Sequence, residues 1–201
     1  MKIKNLAQTL VQPVKFVVLP GGRLPERHHV GDAAADCYTR AIVNPKSNGE
    51  NMRETLWEFD KNISKKSLRV TSSIKFYGGR YYYKLYPGHS VSIGLGFNVQ
   101  IPFGMAGFIY PRGSSIVKNG ERIHLTVLNT NPIDHGFTGE PWAEIRNDGQ
   151  MPFDIYHHSR LVQLTCGLVK SGKLRKSEVV HVATAPMVAL DIDHFQQSKK
   201  R

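Results

Sequence analysis

In short runs along this chain, apolar and polar residues alternate more than they repeat at the helical period of about 3.6. VKFVVLP at 14–20, SVSIGLGFNVQIP at 90–102, AGFIYP at 106–111, RIHLTVLN at 122–129 and LVQLTCGLV at 161–169 all read this way. A period of two sends alternate side chains to opposite faces, so each run predicts a strand with one buried face. The 18 glycines and 11 prolines fall between these runs at short intervals, where turns belong. Several short strands with turns between them predict an all-β barrel or sandwich. The candidate helix is a short one at 50–60, ENMRETLWEFD.

With 40% hydrophobic residues, the 201-residue chain can bury one substantial core. We expect a single β domain over 1–180, interrupted by a polar insertion at about 44–70, and a solvated tail over 181–201. The run KFYGGRYYYKLYPG at 75–88 mixes tyrosines with Lys and Arg. Sheet packing beside a Gly-Gly turn is the plainer reading, and nucleic-acid stacking is the other. A net charge of +11, from 27 Lys and Arg against 16 Asp and Glu, favours polyanionic partners such as nucleotides, nucleic acid or anionic lipid. Cys37 and Cys166 lack metal-ligand spacing and read as small buried apolar residues, which suits a reducing, cytoplasmic setting. No run approaches the roughly 18 apolar residues that a membrane helix needs. The pairs His28 and His29, and His157 and His158, have no further ligands at metal spacing and read as surface or hydrogen-bonding residues.

Four segments hold the candidate chemistry. GDAAADCY at 31–38 packs small residues around one acid, Asp36. PRGSSIVKNG at 111–120 follows Arg112 with small residues, so backbone amides and hydroxyls can approach oxyanions. NPIDHGFTGEPWAEIRNDG at 131–149 contains Asp134 and Glu144, and RLVQL at 160–164 opens a late strand.

In this order and spacing the segments resemble the trimeric deoxyuridine triphosphatase (dUTPase) and deoxycytidine triphosphate (dCTP) deaminase superfamily. GDAAADCY is similar to that family's GSAGYDLY with the acid in register at Asp36, and PRGSSIVKNG to PRSGLAxKxG, with Arg112, Lys118 and Gly120 in place. Ile133, Asp134, Phe137, Gly139 and Glu140 match GxIDxDYRGE, and Arg160, Gln163 and Leu164 match GDRIAQL. The resemblance implies a jelly-roll-like β-clip fold, a homotrimer, and active sites at subunit boundaries. It implies a dUTP diphosphatase that hydrolyses dUTP to dUMP and pyrophosphate with Mg²⁺. Asp134 would be the general base, and Asp36 an acid placed near the metal. Arg112, Gly113, Ser114, Arg160 and Gln163, with Lys118, would serve the phosphates. Phe137 would lie against the deoxyribose, while Ile133, Asn129 and the turn around them would meet the pyrimidine.

The chain departs from the dUTPase pattern in two places. HGF after Asp134 is closer to the deaminase branch, and Glu144 stands where deaminases have the Glu that activates water, with Ser114 at their Ser but Lys118 at their Arg. A dCTP deaminase, or an enzyme with both activities, is therefore the alternative. Glu144 could equally be an outward strand residue, or a structural acid paired with Arg146 or Arg112. The Gly-rich arm that closes dUTPase sites is also missing, since no glycine follows residue 180. Another segment, or the basic KSGKLRK at 170–176, would have to serve in its place. That loss keeps open a non-catalytic member that binds nucleic acid or a regulator.

Overall fold

The structure, a computed structural model, describes residues 13–46, 52–59, 72–115, 117–118, 121–122, 124–168 and 187–189. Among these the regular elements are strands, with one 3₁₀ turn at Gly113–Ser115 and no α-helix. In chain order the strands are β1 (Val14–Val18), β2 (Ala35–Cys37), β3 (Ala41–Val43), β4 (Thr55–Glu58), β5 (Ile74–Tyr77), β6 (Arg80–Leu85), β7 (Ser90–Gly94) and β8 (Phe97–Gln100). There follow β9 (Met105–Pro111), β10 (Val117–Lys118), β11 (Glu121–Arg122), β12 (Leu125–Val127), β13 (Trp142–Asn147), β14 (Phe153–Ile155), β15 (Val162–Leu168) and β16 (Met187–Ala189). A five-stranded sheet runs β12-β13-β7-β3-β4, and three-stranded sheets run β16-β1-β8, β14-β6-β5 and β2-β15-β9. The inward faces form one core, in which Phe16 meets Phe97 edge-on at 5.4 Å.

The alternating runs become strands, with informative differences. The run at 90–102 splits into β7 and β8, which lie in different sheets, because Gly96 takes φ 75° and turns the chain. Here the backbones pack so closely that a Cβ on Gly22 would fall on the Gly96 carbonyl. The run at 122–129 is shared between the end of β11 at Arg122 and β12, with His124 at φ 48° breaking extended geometry just before β12. Gly78 and Gly79, at φ 60° and 78°, close the β5–β6 hairpin with two left-handed residues, as a primed two-residue turn requires.

The short helix expected at 50–60 is instead strand β4. Trp57 and Phe59 are buried while Leu56 and Glu58 are not, a period of two that docks the segment on β3. A helix of that length is marginal by itself, whereas the edge of β3 offers a ready ladder. Part of the polar insertion is thus sheet. Within the expected tail, Met187–Ala189 pair in parallel with β1, and the remaining residues from 181 onward lie outside the described ones, as does KSGKLRK at 170–176.

Cys37 and Cys166 are buried free thiols, as expected of small apolar residues. Burial pushes the Cys37 thiol far above its usual range, with Asp36 adding to the effect, and burial carries Cys166 to about 12. The thiolate is the reactive form. Both are therefore expected to resist an aromatic disulfide reagent at pH 8 in the folded protein and to react within seconds once it is unfolded in guanidinium. Fast titration of either thiol in the folded state would contradict this burial. No helix among the described residues is long and apolar enough to cross a membrane.

Candidate functional site

Three of the four segments singled out above meet in one sheet. β15 lies between β2 and β9, with Gln163 opposite Asp36 on one side and Tyr110 on the other. This pairing brings together residues more than a hundred positions apart. Asp36 is only 12% exposed, and its carboxylate spans two guanidinium groups, Arg112 Nε at 2.6 Å and Arg160 Nη1 at 3.5 Å. Arg112 also donates to Ser114 Oγ at 3.1 Å and to the Arg160 carbonyl at 3.4 Å, and Gln163 Nε2 donates to the Pro111 carbonyl at 3.3 Å. The acid thereby holds two arginines at the mouth of a cleft of about 430 Å³ lined by Glu26, His28, Asp32, Asp36, Arg112, Gly113, Arg160 and Gln163. A Cβ on Gly113 would meet nothing within 4 Å, so its small size leaves the cleft open. An oxyanion entering here would meet the outward guanidinium N–H groups, the chemistry that recognises phosphate.

A second hollow continues from the first past Arg23, Tyr38 and His158. Tyr38 donates its hydroxyl to Glu26 at 2.8 Å, and Arg23 lies 4.2 Å over its ring. Burial raises the Tyr38 phenol above its usual value, and Glu26 raises it further. Sequence reasoning passed over Glu26, Arg23 and Tyr38. Tyr38 closes the GDAAADCY segment two residues from Asp36, whereas Glu26 reaches Asp36 through the Glu26–Asp36 bridge, which pairing reveals and linear order does not.

Asp36 was expected as an acid beside a metal. Both its oxygens face arginines, and no group of three or more His, Cys, Asp or Glu among the described residues is placed to hold a cation. Asp36 here positions the two arginines. Lys118 sits in β10 opposite Glu121, and its side chain lies outside the described residues.

Asp134 stands apart from this cleft. Ile133 bridges Gly107 of β9 through two backbone hydrogen bonds of 2.7 and 2.9 Å, so Asp134 falls level with Ala106. Arg112 lies six residues further along, at the other end of β9, roughly 20 Å away at the rise of an extended strand. Asp134 is exposed in a turn closed by Phe137 N donating to its carbonyl at 3.2 Å, with Gly136 at φ 88°. Ile133 is buried, and Phe137 is half-buried against the core.

Asn129 uses its carboxamide to clamp β13, accepting from Glu144 N at 2.6 Å and donating to the Trp142 carbonyl at 2.8 Å. Its side chain thus shapes the turn. Glu144 accepts from Ser90 Oγ at 3.0 Å and is half-buried on the outward-alternating face of β13. The expected pairings with Arg146 or Arg112 do not form, because Arg146 pairs with Asp148 at 2.9 Å and Arg112 with Asp36.

The sequence also understated Glu140, a motif match given no role. It is buried against Arg40 in a two-pronged pair, Nε to Oε1 at 2.7 Å and Nη2 to Oε2 at 2.8 Å, with side chains 0% and 2% exposed. Gly96 N and Arg53 N also donate to it, at 2.9 and 3.0 Å, and Arg40 Nη1 reaches Thr55 Oγ1 at 3.1 Å. The two ends of segment three are thereby fixed, Ile133 to β9 and Glu140 to the turn between β7 and β8.

Comparison with known proteins places this geometry. A family model described as dCTP deaminase-like matches residues 50–167. The deoxyuridine 5′-triphosphate nucleotidohydrolase of Nocardia farcinica is 35% identical over 148 residues, covering 72% of this chain and 62% of that protein. That of Mycobacterium leprae is 28% identical over 147 residues, covering 72% and 67%. Among solved structures, a dUTPase mutant from phage phi11 of S. aureus, described with a structural Mg(II) ion, superposes with a TM-score of 0.53 at 18% identity, over 85% of this chain and 99% of its own. A phage 80alpha dUTPase mutant gives 0.53 at 18%, over 86% and 92%. Such low identity speaks to the fold alone, and the fold is the same β architecture. With the family match spanning more than half its length, the chain belongs to the dCTP deaminase-like family.

Proposed function

We propose that the protein is a dUTP diphosphatase that hydrolyses dUTP to dUMP and pyrophosphate, its active site completed between subunits of a homotrimer. The observation that carries this reading is the separation of Asp134, level with Ala106 near the start of β9, from Arg112 just past its other end and from the Arg160 that shares Asp36 with it. Roughly 20 Å of strand is too far for both groups to serve one triphosphate within a single chain. A second copy placing its Asp134 turn over the arginine cleft removes the conflict, and cyclic symmetry repeats the site.

In that arrangement Arg112 and Arg160, held by Asp36, grip the phosphate oxygens, and Gly113 gives the triphosphate room. Asp134 takes a proton from a water that attacks the α-phosphorus. The bond from that phosphorus to the bridging oxygen breaks as the new P–O bond forms, and the electron pair leaves with pyrophosphate. Mg²⁺ would arrive with the substrate and offset the charge of its phosphates. Ile133 and the main chain of residues 129–133 face the base, and Phe137 the deoxyribose. Free buried thiols suit a reducing compartment such as the cytoplasm.

The Ser90 contact of Glu144 favours hydrolysis over deamination, because a deaminating base would need a cation beside it to hold the attacking hydroxide. Incubation with dUTP or dCTP and Mg²⁺, following pyrophosphate and ammonia together, tests both. Pyrophosphate from dUTP without ammonia from dCTP is expected, and Glu144→Gln should change the rate by less than about threefold, as for a residue outside the chemistry. Ammonia from dCTP that disappears in Glu144→Gln would replace the proposal with the deaminase.

A further inference from the structure

The sheet β14-β6-β5 carries a surface that the hydrolytic site does not use. Alternation along β6 sends Tyr83 and Leu85 into the core and leaves Arg80, Tyr82 and Lys84 on the opposite face. Register adds the neighbours: Lys75 lies opposite Tyr82, Tyr77 opposite Arg80, and Asp154 opposite Lys84. Two residues beyond Asp154, Tyr156 comes onto the same face, its ring 5.2 Å from that of Tyr82. Tyr77 is 79% exposed and Tyr156 37%. Sheet packing, the plainer expectation for this tyrosine run, therefore holds for Tyr83 and fails for Tyr77, while Tyr82 is half-buried beside Tyr156.

The charges are mostly of one sign. Lys75, Arg80 and Lys84 face a single acid, Asp154, which takes Lys84 Nζ at 2.7 Å while that ammonium also sits 5.3 Å over the Tyr82 ring. Three cations less one anion leave +2 on the face, and among the described residues Lys75 and Arg80 enter no ion pair. A second copy seated symmetrically on this face would set like charges together. A polyanion with exposed aromatic bases matches it instead, since bases can lie on tyrosine rings while phosphates pass the cations.

We infer that the outer face of β14-β6-β5 is a second site, one that binds single-stranded nucleic acid by stacking bases on Tyr77, Tyr82 and Tyr156 and drawing the backbone along Lys75 and Arg80. Duplex is disfavoured, because its bases are already stacked on one another. This surface is distinct from the cleft around Asp36, and binding there needs no hydrolysis.

Fluorescence anisotropy of fluorescein-labelled dT15 with the full chain, from 50 to 200 mM salt, tests it. Tyr77→Ala with Tyr82→Ala is expected to weaken binding at least about tenfold, while Tyr82→Phe keeps it, because the ring does the stacking. Lys75→Gln with Arg80→Gln should flatten the salt dependence by about 1.4 in logarithmic slope, two phosphate contacts at the single-strand value. An rU15 strand should bind within about threefold of dT15, since stacking ignores the 2′-hydroxyl, and a hairpin duplex at least about tenfold more weakly. These variants should leave dUTP turnover unchanged, which separates this inference from the hydrolase reading. Equal binding by the tyrosine variants, equal binding of duplex, or a change in oligomeric mass on mutating the face would overturn it.

Discussion

Asp134→Asn is expected to cut pyrophosphate release from dUTP by about 10²–10⁴-fold, the contribution of a positioned general base, while nucleotide binding stays nearly unchanged. The amide keeps the shape of the carboxylate but cannot take the proton of the attacking water. Because the side chain is exposed in a turn anchored by Ile133 and Glu140, the change should not disturb folding. A shared site makes a sharper claim. Arg112→Ala is also expected to be inactive, yet coexpression of the two variants should restore about one quarter of normal activity, since in a mixed cyclic trimer each site draws its cleft and its Asp134 from neighbouring chains. Turnover assays on the coexpressed mixture, with light scattering to check mass, decide the matter. A mixture as inactive as its parents would place the whole site within one chain and defeat the proposal.

Glu140→Ala should be the most damaging single substitution for stability, at about 3–5 kcal/mol, because it strands a buried guanidinium. Arg40 would lose both charged hydrogen bonds, and the amides of Gly96 and Arg53 would lose their acceptor. At 2–4 °C per kcal/mol for a chain of this size, the melting temperature should fall by about 10 °C. Replacing both partners, Arg40→Met with Glu140→Leu, should cost less than Glu140→Ala alone, since no charge is left buried. Urea unfolding of the three proteins measures this. A loss below about 1 kcal/mol in Glu140→Ala would show that water reaches Arg40 and that the pair is not structural.

These two carboxylates show how far the sequence could be read. Asp134 and Glu140 lie six positions apart in one motif, which implied a role for the first and none for the second, yet one points to solvent and the other is the best-satisfied buried charge described. The distinction depends on Arg40, Gly96 and Arg53, which arrive from elsewhere in the chain. Asn129 is similar: expected against a base, it spends its carboxamide on β13. Glu144 kept the outward orientation that alternation suggested, and what it touches, Ser90, comes from the paired strand. The helix expected at 50–60 failed because local propensity could not register the free edge of β3.

What the residues determined by themselves was the all-β class, strands within the runs at 14–20, 90–102, 106–111 and 161–169, the buried thiols and membership of the family. Short apolar runs between turn residues and a motif are local patterns that survive in linear order, whereas β3, β7 and β8 are buried on both faces and took their surroundings from the sheets around them. What only the tertiary structure decided was company: that Asp36, Arg112 and Arg160 share one cleft, that Asp134 lies away from it, and that three tyrosines and two free cations share an outer face. Strand pairing joins positions up to a hundred or more residues apart, and no local preference encodes which edges will meet.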